Sequence, residues 1–175
     1  MNIAKIKNLD IANGPGIRLS VFVSGCTRGC PGCFNTEAQD FGYGTPYTVN
    51  VESEITSMLE NPNIAGLSLL GGEPLEPANQ PTVRNIVNAC KIVCPEKSIW
   101  LFTGYTFEEL TSSLRNPYLD DILRTIDVMV DGPFIQSRSN LMLKYRGSEN
   151  QRLLDVPKSL ETGYPVYWKD KFDLF

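Results

Sequence analysis

The sequence contains no histidine, and this absence excludes several kinds of chemistry at once. Histidine is the commonest general base in enzymes and the commonest side-chain ligand of bound metals. Without it, nucleophilic mechanisms of the Ser-His-Asp and Cys-His type are excluded. Any metal in this protein must therefore be held by thiolates or carboxylates.

Long apolar runs and an excess of basic charge are also absent. No stretch approaches the roughly 18 apolar residues of a membrane-spanning helix, and residues 1–10 lack the apolar core of a signal peptide. The 16 basic and 20 acidic residues give a formal charge of −4, which argues against a nucleic-acid-binding face. We therefore expect a cytoplasmic protein that binds neither nucleic acid nor membrane.

The pattern of apolar residues predicts an α/β fold. The 175 residues fit a single domain over residues 1–175. We predict strands over residues 18–23, 67–70, 98–102 and 126–130, and helices over residues 51–59, 80–93 and 107–114. Asn50 and Thr106 are the expected N-caps of the first and third helices.

Strands that alternate with helices predict right-handed crossovers and a mainly parallel sheet. A closed eight-stranded barrel needs about 250 residues, so this chain is too short to form one. We predict an open, incomplete (β/α) barrel, whose functional site lies at the C-terminal ends of the strands.

Three of the five cysteines lie within eight residues, directly after the first predicted strand. Cys26, Cys30 and Cys33 stand in the segment C-T-R-G-C-P-G-C, whose glycines and proline allow a tight loop. Three thiolates can converge on one soft-metal centre. Because a four-iron cluster normally takes four thiolates, three local ligands would leave one iron open to a small molecule. Such open coordination suits a reaction centre.

A structural zinc site is the alternative interpretation, with Cys90 or Cys94 as its fourth ligand. Structural zinc prefers four closed ligands, often in paired knuckles, whereas the spacing here is three and then two residues, with no second pair. Cys90 and Cys94 lie four residues apart on one face of a predicted helix, where small buried thiols are common. We therefore expect this pair to belong to the core.

A second motif, Leu70-Gly-Gly-Glu-Pro74, follows the second predicted strand. Paired glycines let the backbone approach a ligand closely, and Glu73 adds a hydrogen-bond acceptor. Alone, the segment would be interpreted as an ordinary turn. Because it follows a strand parallel to the one before the cysteine loop, both motifs are expected at the same end of the sheet.

Together, the cysteine loop, the aromatic residue after it and the Gly-Gly-Glu-Pro motif resemble the radical S-adenosylmethionine superfamily. The resemblance implies a [4Fe-4S] cluster on Cys26, Cys30 and Cys33, whose fourth iron chelates S-adenosylmethionine. One-electron cleavage of that cofactor would yield a 5′-deoxyadenosyl radical, so that no side chain acts as acid or base. The residues implied to bind the cofactor are Gly32, Phe34, Gly71, Gly72 and Glu73.

Four further stretches resemble one family in particular, the anaerobic ribonucleoside-triphosphate reductase activating proteins. They are NGPGIR at 13–18, WLFTGY at 100–105, DVMVDGPF at 127–134 and YRGSENQR at 145–152. The resemblance implies an activase that removes a hydrogen atom from a backbone glycine of the reductase. It also implies an external electron donor of the flavodoxin or ferredoxin type. Contact of Arg146 and Arg152 with the reductase is a hypothesis.

Other functions share part of this pattern. The activating enzyme of another glycyl-radical enzyme, such as pyruvate formate-lyase, has both main motifs, although residues 146–152 and the short chain argue against it. A radical enzyme that acts on a small molecule, such as a deazaguanine synthase, is a further alternative. From a different class, a zinc-stabilised, non-catalytic binding module also stays open.

Overall fold

The structure is a computed structural model that describes residues 1–170, so the last five residues of the predicted domain lie outside the described residues. Its seven strands are β1 (Asn2–Asp10), β2 (Arg18–Val23), β3 (Thr45–Pro46), β4 (Gly66–Gly71), β5 (Ser98–Phe102), β6 (Val128–Asp131) and β7 (Arg152–Asp155). Its five α-helices are α1 (Val49–Leu59), α2 (Gln80–Val93), α3 (Phe107–Thr111), α4 (Pro117–Thr125) and α5 (Val156–Thr162). Among the described residues, no helix is long and apolar enough to cross a bilayer.

All seven strands belong to one sheet, in the order β3-β1-β2-β4-β5-β6-β7. The inner strands β2, β4, β5 and β6 are parallel to one another, whereas β1, β3 and β7 pair antiparallel. The α/β class is confirmed. The prediction of a mainly parallel sheet is wrong, because half of the strand pairings are antiparallel and the sheet is mixed.

Two of the antiparallel pairings, β1 with β2 and β6 with β7, join consecutive strands that no α-helix connects. A short loop over residues 11–17 joins β1 to β2, and such a short connection reverses the chain direction instead of carrying it across the sheet. The described strands form an open row with β3 and β7 at its edges. The open-barrel part of the prediction is not confirmed by this arrangement.

Most predicted elements agree with the observed ones, and the differences lie at their ends. Thr48, not Asn50, caps α1, because its Oγ1 accepts a hydrogen bond from the backbone N–H of Val51 at 3.4 Å. Thr106 caps α3 as predicted and forms a capping box with Glu109. Sequence reasoning missed the elements β1, β3, β7, α4 and α5.

Alternation along the inner strands gives the sheet two buried faces. In β2, Leu19, Val21 and Val23 are fully buried and join one core cluster with apolar residues of α1, α2 and α4. A smaller cluster on Trp100, Val128 and Val130 includes the partly buried Tyr145 and Trp168. The ring of Trp100 packs edge-on against Tyr145 and Trp168, with centroids 5.4 and 4.9 Å away.

The last residue of the NGPGIR motif, Arg18, is a fully buried cation at the start of β2. Its guanidinium donates to Ser68 Oγ at 2.7 Å and to the carbonyls of Leu67 and Ser98 at 2.6 and 3.0 Å. It also lies 5.5 Å from the centre of the Trp100 ring. Burial lowers the pKa of Arg18 to about 10. The motif therefore supports the fold beneath the site.

Asp10 forms a second buried polar centre at the end of β1. Its carboxylate accepts hydrogen bonds from Lys7 Nζ at 2.6 Å, Ser20 Oγ at 2.6 Å and the backbone N–H of Ala12 at 3.2 Å, as well as from the Asn13 side chain. Burial alone would raise the pKa of Asp10, but these hydrogen bonds outweigh it and lower the pKa to about 2.

Replacing Asp10 by Asn is therefore expected to reduce the free energy of unfolding by about 2 kcal/mol at neutral pH. Because the folded pKa lies below the ordinary value of 3.8, the wild-type advantage is complete above about pH 4 and disappears as the pH falls towards about 2. Urea unfolding of the reduced apoprotein, followed by circular dichroism across this range, measures it. Asp121→Asn, which removes a partly exposed ion pair with Arg84, is the control and should cost less than about 1 kcal/mol. A loss that does not change with pH would contradict the assignment.

Candidate active site

The parallel pairing of β2 and β4 brings the two sequence motifs together. Val23 lies directly beside Gly71 in the register of this pair. Beyond the strands, the N–H of Gly72 donates to the carbonyl of Val23 at 2.7 Å, and the N–H of Glu73 donates to the carbonyl of Gly25 at 2.9 Å. The cysteine loop and the Gly-Gly-Glu-Pro turn therefore leave the sheet side by side.

One side chain, Asn79, forms hydrogen bonds with both loops where they leave the sheet. It is fully buried at the N-terminus of α2, and its Nδ2 lies 3.1, 3.2 and 2.9 Å from the carbonyl oxygens of Ser24, Gly25 and Glu73. The two N–H groups of a single amide are thus shared among three backbone acceptors from both loops, two of which also accept backbone N–H groups. Sequence reasoning missed Asn79, because nothing near it in the chain shows which carbonyls it reaches.

The two residues after Cys26 anchor the cysteine loop to its surroundings. The backbone N–H and Oγ1 of Thr27 donate to one carboxylate oxygen of Glu76, at 3.1 and 2.9 Å. The guanidinium of Arg28 lies 4.6 Å from the centre of the Tyr105 ring. A Cβ atom at Gly104 would come within 2.5 Å of the Arg28 side chain, so glycine leaves the room that Arg28 occupies.

Cys26, Cys30 and Cys33 are partly exposed and line a single cavity of about 350 Å³. The backbone N–H of Asn35 donates to Cys33 Sγ at 3.4 Å. Burial raises the pKa of Cys26, against the effect of hydrogen bonds from backbone N–H groups of Arg28 and Gly29. Three thiols around one cavity, with backbone donors nearby, fit the ligand set of an iron–sulfur cluster.

A single-metal site and an iron–sulfur cluster need different spacings of their ligands. A tetrahedral zinc ion with Zn–S bonds of about 2.3 Å needs sulfur atoms within roughly 4 Å of one another. In residues 1–170, no three Cys, Asp or Glu side chains lie close enough to hold one metal ion. An iron–sulfur cluster binds each thiolate to a different iron and therefore takes more widely spaced ligands.

Most residues predicted to bind the cofactor line the same cavity as the thiols. Phe34, Gly71, Gly72 and Glu73 do so, and the Phe34 side chain is 83% exposed. Gly32 is not among the lining residues, and its backbone lies against the side chain of Gln136. The volume of the cavity falls within the range typical of small-molecule and cofactor sites.

The structure gives separate reasons for the presence of the glycine and of the glutamate in the second motif. Gly71 has φ +118°, and a Cβ atom there would lie 2.5 Å from backbone atoms of Val23, so no other residue fits without displacing β2. Glu73 is 1% exposed. Its carboxylate accepts from Leu75 N at 2.9 Å, Thr103 Oγ1 at 2.7 Å and Gly104 N at 2.7 Å. Burial raises the pKa of Glu73 to about 7, although these hydrogen bonds oppose the rise.

The stretch YRGSENQR forms part of the cavity wall, and Gln151 holds it there. The Oε1 of Gln151 accepts from the N–H groups of Gly147 and Ser148 at 2.9 and 3.1 Å, while its Nε2 donates to the carbonyl of Gly132 at 3.2 Å. Arg146 lines the cavity and donates to the carbonyl of Gln151 at 2.7 Å. The part that Gln151 and Arg146 play in the cavity wall was not predicted, because Gln151 lies far in the sequence from Gly132 at the end of β6.

Arg152 pairs with two carboxylates of its own chain, those of Asp131 and Glu108. Its guanidinium donates to Asp131 Oδ1 at 2.9 Å and to both carboxylate oxygens of Glu108, at 3.0 and 2.7 Å. The hydrogen bonds to Asp131 and Glu108 raise the pKa of Arg152 above its usual value. These contacts tie β6, β7 and α3 together, and a contact of Arg146 and Arg152 with the reductase stays a hypothesis. Cys90 and Cys94 are buried in the main core, as expected.

Comparison with known proteins decides the family. Residues 12–154 match the family described as a 4Fe-4S single cluster domain. A relative from Vibrio cholerae serotype O1, named anaerobic ribonucleoside-triphosphate reductase-activating protein, is 43% identical over 153 residues, which cover 86% of this chain and 96% of the relative. The chain belongs to the family of anaerobic ribonucleoside-triphosphate reductase-activating proteins. This confirms the family resemblance found in the motifs.

Family members of the same name occur in bacteria and in a phage. Those of Escherichia coli strain K12 and Enterobacteria phage T4 are both 39% identical to this chain over 153 residues. The matches cover 86% and 87% of this chain, and 96% and 93% of the two relatives. The similarity therefore includes both the cysteine loop and the wall formed by YRGSENQR.

Replacing Asn79 by Ala is expected to destabilise the protein by about 1–3 kcal/mol, because the buried Ser24 carbonyl loses its hydrogen-bond donor while those of Gly25 and Glu73 keep only a backbone N–H. The iron content after anaerobic cluster reconstitution should fall with it, because the cysteine loop loses its anchor. Urea unfolding and iron analysis measure the two effects. Asn88→Ala, on the same helix with one 3.3 Å hydrogen bond from Thr125, is the control and should stay within about 1 kcal/mol of wild type. Equal behaviour of the two variants would contradict the role of Asn79.

Proposed function

We propose that this chain is an activase that reductively cleaves S-adenosylmethionine at a [4Fe-4S] cluster and generates a glycyl radical on anaerobic ribonucleoside-triphosphate reductase. The observation that carries the proposal is the shared cavity, where Cys26, Cys30 and Cys33 meet Phe34 and the glycine turn. The names of the relatives from Vibrio cholerae, Escherichia coli and phage T4 support the choice of reductase.

In this proposal, Cys26, Cys30 and Cys33 would hold the cluster, and three thiolates for four irons would leave one iron open to S-adenosylmethionine. When bound, the cluster and cofactor supply the one-electron chemistry that removes a hydrogen atom from a glycine of the partner. The protein supplies position and shields the reaction from water.

The cavity walls suggest how the chain positions the cofactor. Gly71 and Gly72 present backbone without side chains on the wall of the cavity, where a ligand can approach closely. Phe34 offers an exposed aromatic face for the adenine, and Gly32 shapes the loop before it. Glu73 is assigned to the methionine end of the cofactor, with its carboxylate already fixed by Thr103 and Gly104.

An external protein supplies the electron, and we propose a donor of the flavodoxin or ferredoxin type. Three of the five cysteines are assigned to the cluster, and the other two, Cys90 and Cys94, lie buried in the core. The chain thus has no thiols left for a relay cluster of its own. The five free thiols suit a reducing compartment, and we propose a cytoplasmic location.

The alternatives predict different results. An activase of pyruvate formate-lyase would place the radical on that enzyme instead of the reductase. A zinc-stabilised binding module would hold one zinc ion per chain, be colourless and form no radical. The zinc module would need Cys90 or Cys94 as its fourth ligand, and both are buried in the core instead of lining the cavity.

The test is radical transfer to purified reductase. The reconstituted protein, with S-adenosylmethionine and dithionite, is mixed anaerobically with the reductase, and the glycyl radical is measured by electron paramagnetic resonance (EPR). We expect a radical with the wild type and less than about 1% of it when any of Cys26, Cys30 or Cys33 is replaced by Ala, because the cluster loses a ligand.

Cys90→Ala is the matched control for this experiment, since it removes a thiol that lies in the core rather than at the cavity, and it should keep the radical yield. Pyruvate formate-lyase serves as the control partner and should acquire no radical. A radical on pyruvate formate-lyase alone, or a colourless protein with one bound zinc, would contradict the proposed function.

A further inference from the structure

A loop over residues 139–148, the wall loop, contributes residues to the lining of the cavity. An isolated bridge between Ser139 and Ser148 closes its base, and the N–H of Asn140 donates to the carbonyl of Gly147 at 3.3 Å. Gln151 fixes the same end of the loop to the end of β6. The contacts at its base therefore hold the wall loop in place.

One side of the wall loop forms part of the cavity. Leu143, Tyr145, Arg146 and Gly147 all line it. The Tyr145 ring packs edge-on against Trp100, which is buried in the sheet. The inner side of the loop is thus part of the site already described, whereas its tip is not.

The tip consists of Leu141 and Met142, which project into solvent. Their exposed fractions are 99% and 88%. Asn140 orders the tip, because its Oδ1 accepts from the N–H of Met142 at 3.0 Å and its Nδ2 donates to Glu149 Oε1 at 3.3 Å. A single exposed apolar residue is ordinary. Two adjacent ones on a hydrogen-bonded loop at the edge of a reaction cavity indicate a contact surface.

We propose that Leu141 and Met142 form a docking site for an apolar, extended segment of the reductase next to its target glycine. This inference rests on the proposed function. A partner that delivers a backbone glycine into the cavity must cross its rim, and the tip is continuous with the residues that form this rim. A small ligand inside a cavity of about 350 Å³ would not cover a side chain that is 99% exposed.

The apolar character of the tip defines the matching segment. Leu141 and Met142 offer large side chains without hydrogen-bonding groups, and the flexible thioether of Met adapts to irregular partners. The reductase segment is therefore expected to carry apolar side chains beside its glycine.

The test replaces both tip residues by Ser. Because Leu141 and Met142 are exposed, Leu141→Ser with Met142→Ser should leave unfolding unchanged and keep cleavage of S-adenosylmethionine without reductase within about twofold of wild type. The dissociation constant for the reductase, measured anaerobically by biolayer interferometry, should rise about 10- to 100-fold. The glycyl radical yield at limiting reductase should fall in parallel.

The matched control replaces two exposed apolar residues on helices, Val49 of α1 and Ile92 of α2, by Ser. They are 77% and 81% exposed and do not line the cavity, so reductase binding should not change. Unchanged affinity of the tip variant for the reductase would overturn the docking site. The docking site would also be overturned if the tip variant lost self-association but still bound the reductase. If the wild type itself forms no glycyl radical on the reductase, the proposed function is wrong instead.

Discussion

The parallel pairing of β2 with β4, locked at its C-terminal end by Asn79, is the constraint on which the whole site depends. Loops that follow neighbouring parallel strands start from the same edge of a sheet. In this protein one loop carries three cysteines and the other carries two glycines and Glu73. The Asn79 amide bonds carbonyls of both loops, so the thiols and the glycine turn share one cavity wall.

The remaining contacts bring further elements to this junction. Glu73 joins the glycine turn to the end of β5 through Thr103 and Gly104, and Gln151 joins the wall loop to the end of β6. Each contact uses the polar groups where an inner strand ends. Beneath them, every guanidinium nitrogen of the buried Arg18 donates a hydrogen bond. A site held by hydrogen bonds on several sides suits a reaction in which a bound cofactor performs the chemistry and the protein supplies the positions of the reacting groups.

Much of the fold could be predicted because the inner strands are continuous apolar runs between clear helix signals. The outer strands β1 and β7 could not be predicted in this way. A bulge between Ile3 and Lys5 breaks the alternation in β1, and the four residues of β7 are too few to show a period. By contrast, α4 carries a readable signal, since Asn116 caps it and Pro117 begins it. Its omission was an error of interpretation.

The candidate site likewise has one part that could be predicted from the sequence and one part that could not. The cysteines and the glycine turn are local motifs, so the sequence alone indicates them. The residues that hold the motifs in place act over long distances in the chain, as Thr27 does with Glu76 and Arg28 with Tyr105. Such pairs depend on how the strands are placed in three dimensions. Local patterns cannot reveal them.

The most direct test of this account is EPR of the reconstituted, dithionite-reduced protein with and without S-adenosylmethionine. The account predicts a [4Fe-4S]⁺ signal whose shape changes when the cofactor is added, because Cys26, Cys30 and Cys33 leave one iron open to it. A cluster signal that the cofactor does not alter, or a protein that takes up zinc and gives no signal, would contradict it.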